Sequence, residues 1–290
     1  MGNCCSRDCR AAAAIGRSAR LELSFERRRG RTVLTHSYAE PPFRIGHVFE
    51  LDGAAYVIIV CTGAGIFGGD TLRQSVRVAG GASVVLTSQS ALQVHPAIQR
   101  SGLPASVHHE YIVDEDGELH GEWDPVIPFA AARLDQRFDV RIAESSRLYW
   151  SDAVMAGRVS RGEAWQFESL AHELSLRVGG SLAYLERYVL TPRDRVMVHP
   201  WIAGHGRYLA TMLAHHERAT EETADALHRA ARGSPAPSVQ ITAAVDLIRP
   251  RTIAGRLLSA DGAPFAAARA SCRAQALASI FGTRGRLARK

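Results

Sequence analysis

The sequence predicts a mainly β protein: a β-helix or solenoid-like body of stacked strands, with about two helices near its C-terminal third. Alternating apolar and polar residues recur through the middle of the chain, and short turns of Gly, Asp or Ser separate the alternating stretches. One apolar position of the pattern returns at roughly 30-residue intervals, at Val84, Leu119, Leu148 and Leu182. Because a unit that buries one face is unstable alone, successive units are expected to stack around a continuous core.

Each repeated unit consists of two alternating strands joined by a short turn. Alternation with period two puts the apolar side chains of a strand on one face. The four units join residues 75–78 to 83–86, 110–113 to 118–121, 139–142 to 147–150, and 175–178 to 181–184.

The C-terminal third has a different pattern, which predicts a helix over 221–232. The hydroxyl of Thr220 is an N-cap, Glu221 and Glu222 favour the first turn, and Gly233 ends the helix. A second, Ala-rich helix is expected to pack on a sheet edge and so prevent unwanted strand pairing. The further elements are strands over 239–247 and 252–258 and this second helix over about 264–281.

Composition favours one globular domain. The 290 residues are 46% hydrophobic, which is enough for a sizeable core. We expect a disordered leader over 1–20, a single domain over 21–282 and a basic tail over 283–290. The sequence has no apolar run of 18 residues and no signal-peptide pattern, which predicts a cytoplasmic protein without a membrane span.

The formal charge of +6 does not indicate a nucleic-acid site, because the arginines are scattered along the chain. The one cluster, residues 27–31, is interpreted as a solvated turn between two strands, with an acidic protein partner as the alternative.

The cysteines do not predict a disulfide scaffold, since their number is odd and no CxxC pair occurs. The first residues, 1–6, also match a myristoylation pattern, which leaves a membrane-anchored protein as an alternative. The cysteines are Cys4, Cys5, Cys9, Cys61 and Cys272.

A glycine-rich stretch over 63–70 follows an apolar run over 56–61 and resembles a dinucleotide-binding loop. Such a loop must open a helix and be followed about 20 residues later by an acidic residue. Here the residues over 83–87 alternate with period two, and the next carboxylate is Glu110. The sequence therefore argues against dinucleotide binding, and the glycines need another explanation.

No familiar catalytic motif is present. The twelve histidines lack metalloprotease spacing, and His108 and His109 are expected on opposite faces of a strand. Carboxylates near glycine, proline or tryptophan have two interpretations: they cap turns, or they line a polar interior path. These carboxylates are Asp70, Asp124, Asp152 and Glu163.

Four segments together resemble the urease accessory protein UreD family, called UreH in some bacteria. They are residues 65–72, 81–91, 122–129 and 157–163, and the resemblance extends over about 21–282. Ala64, Phe67, Asp124 and Asp152 depart from the family pattern, which suggests a divergent member. The matching residues are Gly65, Gly68, Gly69, Asp70, Leu72, Thr87, Gln89, Trp123, Pro125, Gly157, Arg158, Gly162 and Glu163.

The resemblance implies a β-helical scaffold that catalyses nothing itself. It further implies binding to the urease structural subunits and to the accessory protein UreF, which recruits the GTPase UreG, with a possible homodimer inside the larger complex. No permanently bound cofactor is implied, only nickel in transit to the urease site. We hypothesise that Asp70 lines or shapes the nickel passage, with Glu163 as a weaker candidate.

Two other classes remain open at this point. A solenoid groove with paired carboxylates would suit an enzyme that acts on polysaccharides, but aromatic residues make up only 7% of the chain. A general protein-interaction module would share the scaffold and lack the nickel role.

Overall fold

The computed structural model describes residues 16–97, 102–233 and 241–282. The predicted basic tail and most of the predicted leader, with Cys4, Cys5 and Cys9, lie outside these residues. The first strand begins at Ser18, so β structure starts before residue 21, where the sequence placed the start of the domain.

Within the described residues the chain forms nineteen strands and two α-helices. The first ten strands are β1 (Ser18–Arg28), β2 (Arg31–Ala39), β3 (Phe43–Ile45), β4 (Phe49–Leu51), β5 (Ala54–Cys61), β6 (Ile66–Phe67), β7 (Thr71–Val78), β8 (Ser83–Ser88), β9 (Leu92–His95) and β10 (Ala105–Val113). The others are β11 (Glu118–Glu122), β12 (Val126–Pro128), β13 (Arg133–Ile142), β14 (Arg147–Met155), β15 (Ser169–Val178), β16 (Ser181–Leu190), β17 (Tyr208–His215), β18 (Ile241–Arg249) and β19 (Thr252–Ser259), with helices α1 (Glu221–Arg232) and α2 (Gly262–Ala276).

The strands form two sheets. Sheet A has the order β16-β15-β13-β10-β7-β1-β2, and sheet B has the order β18-β19-β17-β14-β11-β8-β5-β3. The short strands β4, β6, β9 and β12 attach beside sheet B. The central ladders of both sheets are parallel, and antiparallel strands flank them.

The first three predicted units have their two strands in different sheets. β7 is followed by β8, β10 by β11 and β13 by β14, and each pair is separated by a four-residue turn that carries the chain from sheet A to sheet B. Equivalent strands of successive units then pair in parallel, which places Val84 beside Leu119 and Leu119 beside Leu148. Three of the four recurring positions therefore lie in one row.

The fourth unit is different, because β15 and β16 form an antiparallel hairpin in sheet A. Its turn is only two residues long, Gly179 and Gly180, both with positive φ, and turns of this type return the chain directly alongside itself. Leu182 consequently lies outside the row and is 44% exposed.

The prediction of a mainly β protein with two helices is confirmed, whereas the solenoid-like body is not confirmed. Both sheets are open, with β16 and β2 at the edges of sheet A and β18 and β3 at the edges of sheet B. The arginine cluster at 27–31 lies at the β1–β2 turn, as expected, with positive φ at Arg29 and Gly30.

The main core lies between the two sheets, because alternate residues of each strand point inward. The largest fully buried side chains include Trp150 of β14, Tyr111 of β10 and Phe138 of β13. Trp150 has ring contacts with both of the others, at centroid distances of 5.0 Å to Tyr111 and 5.2 Å to Phe138.

Helix α1 has the predicted bounds, and the hydroxyl of Thr220 accepts a hydrogen bond from the Thr223 N–H at 3.3 Å. Helix α2 continues into a π-helical turn, Leu277–Phe281, close to the predicted end. In the described ranges neither helix is long and apolar enough to cross a membrane.

The expectation that the second helix covers a sheet edge is wrong. Both helices contribute to an apolar cluster with Tyr149, Ala153, Ala210 and Met212, which lie on the outer face of sheet B. A sheet with apolar residues on both faces needs a covering layer on its outer face, and the helices supply it.

We predict that Leu119→Ala lowers the free energy of unfolding by about 2–5 kcal/mol, because it leaves a cavity between tightly packed sheets. Leu182→Ala is the matched control: this residue occupies the same position of the repeat but is largely exposed, and its effect should stay within about 0.5 kcal/mol. Urea unfolding of both variants measures the difference. Equal losses would contradict the assignment of Leu119 to the inter-sheet row.

Candidate functional site

The glycine-rich stretch is a close-packed connection between β5 and β7. Gly65 has φ +121°, and a Cβ atom there would lie 2.3 Å from the backbone oxygen of Gln93. Only glycine permits this backbone conformation and this close approach. The stretch then enters strand β7, so the predicted strand is confirmed at the place where a dinucleotide-binding loop would open a helix.

Asp70 holds the end of this connection. Its Oδ2 accepts a hydrogen bond from the Phe67 N–H at 2.9 Å, and its Oδ1 accepts one from the Arg17 N–H at 2.7 Å. The carboxylate thus joins the β6–β7 turn to the chain just before β1. These two backbone hydrogen bonds correspond to the turn-capping role, one of the two interpretations that the sequence left open for Asp70.

A stack of side chains connects the glycine-rich stretch to the two later segments of the resemblance. The Phe67 ring stacks on His95 at 4.6 Å, and His95 meets the edge of Phe129 at 4.5 Å. The Arg158 guanidinium lies 4.1 Å from the centre of the Phe129 ring, and its Nε donates to Glu163 Oε2 at 2.7 Å. The Arg158 hydrogen bonds hold the pKa of the Glu163 carboxyl below its ordinary value.

A cavity of about 120 Å³ lies behind the glycine-rich stretch. Apolar side chains such as Leu72, Phe138 and Trp123 form part of its wall. Asp124 also lines it and is held by Ser88, whose hydroxyl donates to Asp124 Oδ2 at 3.1 Å. The polar side chains that line it from sheet A are Gln74, His109 and Gln136.

Two of these polar side chains share Tyr111 as a hydrogen-bond partner. The Gln74 Nε2 donates to the Tyr111 hydroxyl at 2.8 Å, and His109 Nδ1 lies 3.0 Å from the same oxygen. Burial lowers the pKa of His109 to about 3 and raises the pKa of Tyr111 well above its ordinary value, so both groups are neutral at pH 7.

Two buried polar atoms of the cavity wall, Gln74 Oε1 and Trp123 Nε1, have no hydrogen-bond partner among the described residues. Burial of such atoms costs free energy, so stability alone does not account for the polar character of this cavity.

A second cavity, of about 300 Å³, lies at the end of the molecule where the sheets terminate in β16 and β18. Its polar lining includes Glu186, whose Oε2 accepts a hydrogen bond from the Thr211 hydroxyl at 2.7 Å. Glu186 also pairs with Arg256, which is half exposed. Asp152 lines the same cavity, accepts a hydrogen bond from Trp150 Nε1 at 3.1 Å, and has its pKa raised by burial.

His172 lies between the two cavities. Its Nδ1 is 3.3 Å from Gln136 Oε1 in the wall of the first cavity, and its Nε2 is 3.8 Å from Asp152 Oδ2 in the wall of the second. The side chain is 1% exposed and stacks on Tyr188 at 4.8 Å. A row of polar side chains, which we call the polar belt, therefore crosses the core between the two cavities. Its members are Gln74, His109, Gln136, His172, Asp152 and Glu186.

The four carboxylates that the sequence analysis interpreted as turn caps or as the lining of a polar interior path fall into two groups. Asp124 and Asp152 line the cavities, whereas Asp70 and Glu163 are outside both lining sets and hold loops beside the first cavity. The described residues contain no group of three or more His, Cys, Asp or Glu side chains that could hold a metal ion.

Sequence reasoning missed most of the polar belt, although a signal was present. In an alternating strand, a polar residue between apolar ones two positions away points inward with them. Gln74 stands between Leu72 and Val76 in this way, and His172 stands between Leu170 and Leu174. His108 and His109 do face opposite sides as predicted: His108 contacts Asp139, and His109 contacts Tyr111.

The other residues of the resemblance are mostly packing positions. Thr87 is 1% exposed in β8, Gln89 is exposed, and the Pro125 carbonyl accepts a hydrogen bond from the Leu92 N–H. Two other glycines of the resemblance make close approaches: Gly68 to Ala97, and Gly157 to the Glu163 backbone. Gly69 and Gly162 adopt positive φ.

Comparison with known proteins identifies the class of the molecule. A family model described as UreD urease accessory protein matches residues 17–289. The chain therefore belongs to the UreD urease accessory protein family. This family is one of non-catalytic maturation factors, so the polysaccharide-acting enzyme considered from the sequence is excluded, and the chain has a role in urease maturation.

Individual relatives agree with this assignment. Urease accessory protein UreD of Sorangium cellulosum is 32% identical over 240 residues, covering 82% of this chain and 74% of the relative. Urease accessory protein UreD 2 of Streptomyces griseus is 33% identical over 229 residues, covering 73% and 74%. Urease accessory protein UreD of Halalkalibacterium halodurans is 30% identical over 196 residues, covering 67% and 72%.

We predict that Asp70→Ala destabilises the fold by about 1–3 kcal/mol, because two backbone N–H groups lose a charged acceptor. Asp135→Ala, at an exposed position of β13, is the control and should change the free energy of unfolding by less than about 0.5 kcal/mol. Urea unfolding measures both. An unchanged free energy for Asp70→Ala would refute its role in holding the connection.

The free energy of unfolding should also decrease in acid, because His109 is buried in its neutral form. Its folded pKa of about 3 lies below the unfolded value of about 6.5, so between these pH values the unfolded chain binds more protons and stability falls as pH falls. We predict that His109→Gln reduces this slope by up to about 1.4 kcal/mol per pH unit. The exposed His36→Gln is the control, and urea unfolding between pH 7 and 4.5 is the measurement. Identical slopes for His109→Gln and the unsubstituted chain would disprove the prediction.

Proposed function

We propose that this chain is a maturation scaffold and chaperone that binds apo-urease together with UreF, which recruits UreG, and that nickel passes through its interior to the urease site. The observation that carries the proposal is the polar belt, which connects two cavities through a core that is otherwise apolar. A cytoplasmic location and the absence of a nucleic-acid partner are parts of the proposal.

The chemistry of the belt suits transfer better than storage. Gln136, Asp152 and Glu186 offer oxygen atoms, and His172 offers a single imidazole between them. Oxygen ligands bind a divalent first-row ion more weakly than several imidazoles or thiolates together, so an ion can leave each position. A cation beside Asp152 would also favour the ionised carboxylate, which burial disfavours.

Within this proposal Asp70 and Glu163 shape the passage without lining it. Asp70 fixes the turn that follows Gly65, a residue of the first cavity wall, and Glu163 fixes Arg158 against Phe129. Positive φ and close approach at Gly65 would keep this wall thin. A homodimer within the larger complex stays a prediction.

Co-expression with the urease structural subunits, UreF and UreG, with and without this chain, tests the proposal. We expect the chain to co-purify with these proteins and urease to contain nickel and hydrolyse urea only when the chain is present. Co-purification without any effect on nickel content would instead favour a general interaction module. Loss of both effects would refute the proposal.

We predict that Asp152→Asn lowers the nickel content of urease by about tenfold, a loss typical of removing a group that supports a metal site. Asp135→Asn, on the outer face of sheet A, is the matched control and should leave the nickel content unchanged. Nickel per urease is measured by mass spectrometry, and the folded state of each variant by thermal unfolding. Normal nickel loading by a folded Asp152→Asn variant would remove Asp152 from the route.

A further inference from the structure

The connection between β16 and β17 exposes an unusual amount of apolar surface. We call residues 191–207 the Trp201 loop. Trp201 is 90% exposed, Val196 67%, Val198 62% and Ile202 43%. Large apolar side chains grouped in this way mark interaction surfaces, and tryptophan is the side chain most enriched among residues that dominate binding energy.

The Trp201 loop is nevertheless anchored by two buried residues and by hydrogen bonds within it. Met197 and Ala203 are buried and line the second cavity. The Ala203 N–H donates to the Met197 carbonyl at 3.1 Å, and the Trp201 N–H donates to His199 Nδ1 at 3.3 Å. A surface ordered before binding loses less conformational entropy on association, so this loop is preorganised to present its apolar side chains.

The charges of the Trp201 loop indicate what kind of surface it fits. Arg193, Arg195 and Arg207 are exposed and stand against a single carboxylate, Asp194, which gives a net charge of +2 with histidine neutral. Electrostatic complementarity then calls for a partner with carboxylates around its contact area. A second copy of this chain would bring like charges together across a twofold axis, which disfavours self-association here.

We infer that the Trp201 loop is a docking site for another protein of the urease maturation complex, one that presents an apolar pocket rimmed by carboxylates. The inference rests on the proposed function and adds the surface through which the scaffold meets a partner. Because Met197, Ile202 and Ala203 line the second cavity, a protein bound to the loop would sit at the end of the polar belt marked by Asp152 and Glu186.

The test compares two loop variants with two matched controls. Trp201→Ala removes the apolar anchor, and Arg195→Glu reverses one charge. Phe49→Ala and Arg44→Glu make the same kinds of change at exposed positions of β4 and β3, at the opposite end of sheet B. Purified UreF and purified apo-urease serve separately as probes, and calorimetry gives each Kd.

For one of the two probes we expect Trp201→Ala to raise Kd by about 10- to 100-fold, as is usual when an anchoring tryptophan is truncated. Arg195→Glu should raise Kd most strongly at low salt, where charges are least screened, and both controls should bind like the unsubstituted chain. Thermal unfolding should be unchanged, since the Trp201 side chain is almost fully exposed.

Failure of this inference is distinguishable from failure of the proposed function. If the unsubstituted chain binds neither probe, the proposed function falls and takes this inference with it. If it binds and both loop variants bind equally well, only the docking site is wrong. The inference is also overturned if Trp201→Ala leaves the Kd for both proteins unchanged and instead abolishes another interaction. That interaction would be self-association, measured by sedimentation, or binding to anionic lipid vesicles, and it would assign the loop to a different occupant.

Discussion

The rest of the structure depends on one constraint, the parallel pairing of equivalent strands in successive units. Each of the first three units contributes one strand to sheet A and the next to sheet B, so inward residues of neighbouring units become direct neighbours in a row. Val84, Leu119 and Leu148 form an apolar row of this kind. The same register places Gln74 beside His109 and Gln136 beside His172. The core and the polar belt are thus two results of the same pairing.

The polar belt is costly for a protein of this kind. Asp152 and Glu186 are nearly inaccessible to solvent, and buried carboxylates are tolerated only when hydrogen bonds or opposite charges offset their desolvation. Glu186 has such partners in Thr211 and Arg256. Asp152 accepts one hydrogen bond, from Trp150 Nε1, and lies 3.8 Å from His172, and burial still raises its pKa. A sequence selected for stability alone would place apolar side chains here, so a functional reason for the belt is the simpler explanation.

The sequence predicted the features that depend on neighbouring residues, such as helix ends and strand periodicity. The cap at Thr220 and the break at Gly233 define helix α1, and period two defines most strands. It did not predict the sheet that each strand joins, because this depends on pairing between distant residues. Asp70 shows the same limit, since the backbone N–H of Arg17 that it binds lies 53 positions away. The inward-facing polar residues of the strands indicated part of the polar belt. The contacts of His172 with Gln136 and with Asp152, which link its two halves, are seen only in the structure.

The order of the elements along the chain has a consequence for synthesis on the ribosome. β1 pairs in parallel with β7, and each later unit completes the one before it, so the body can assemble progressively as it emerges. The outer face of sheet B is an exception, because α2, which covers Tyr149 and Met212, follows all nineteen described strands in the chain. Until α2 leaves the ribosome, the nascent protein carries an uncovered apolar sheet face. This interval is when aggregation, or capture by a folding helper, competes most strongly with completion of the fold.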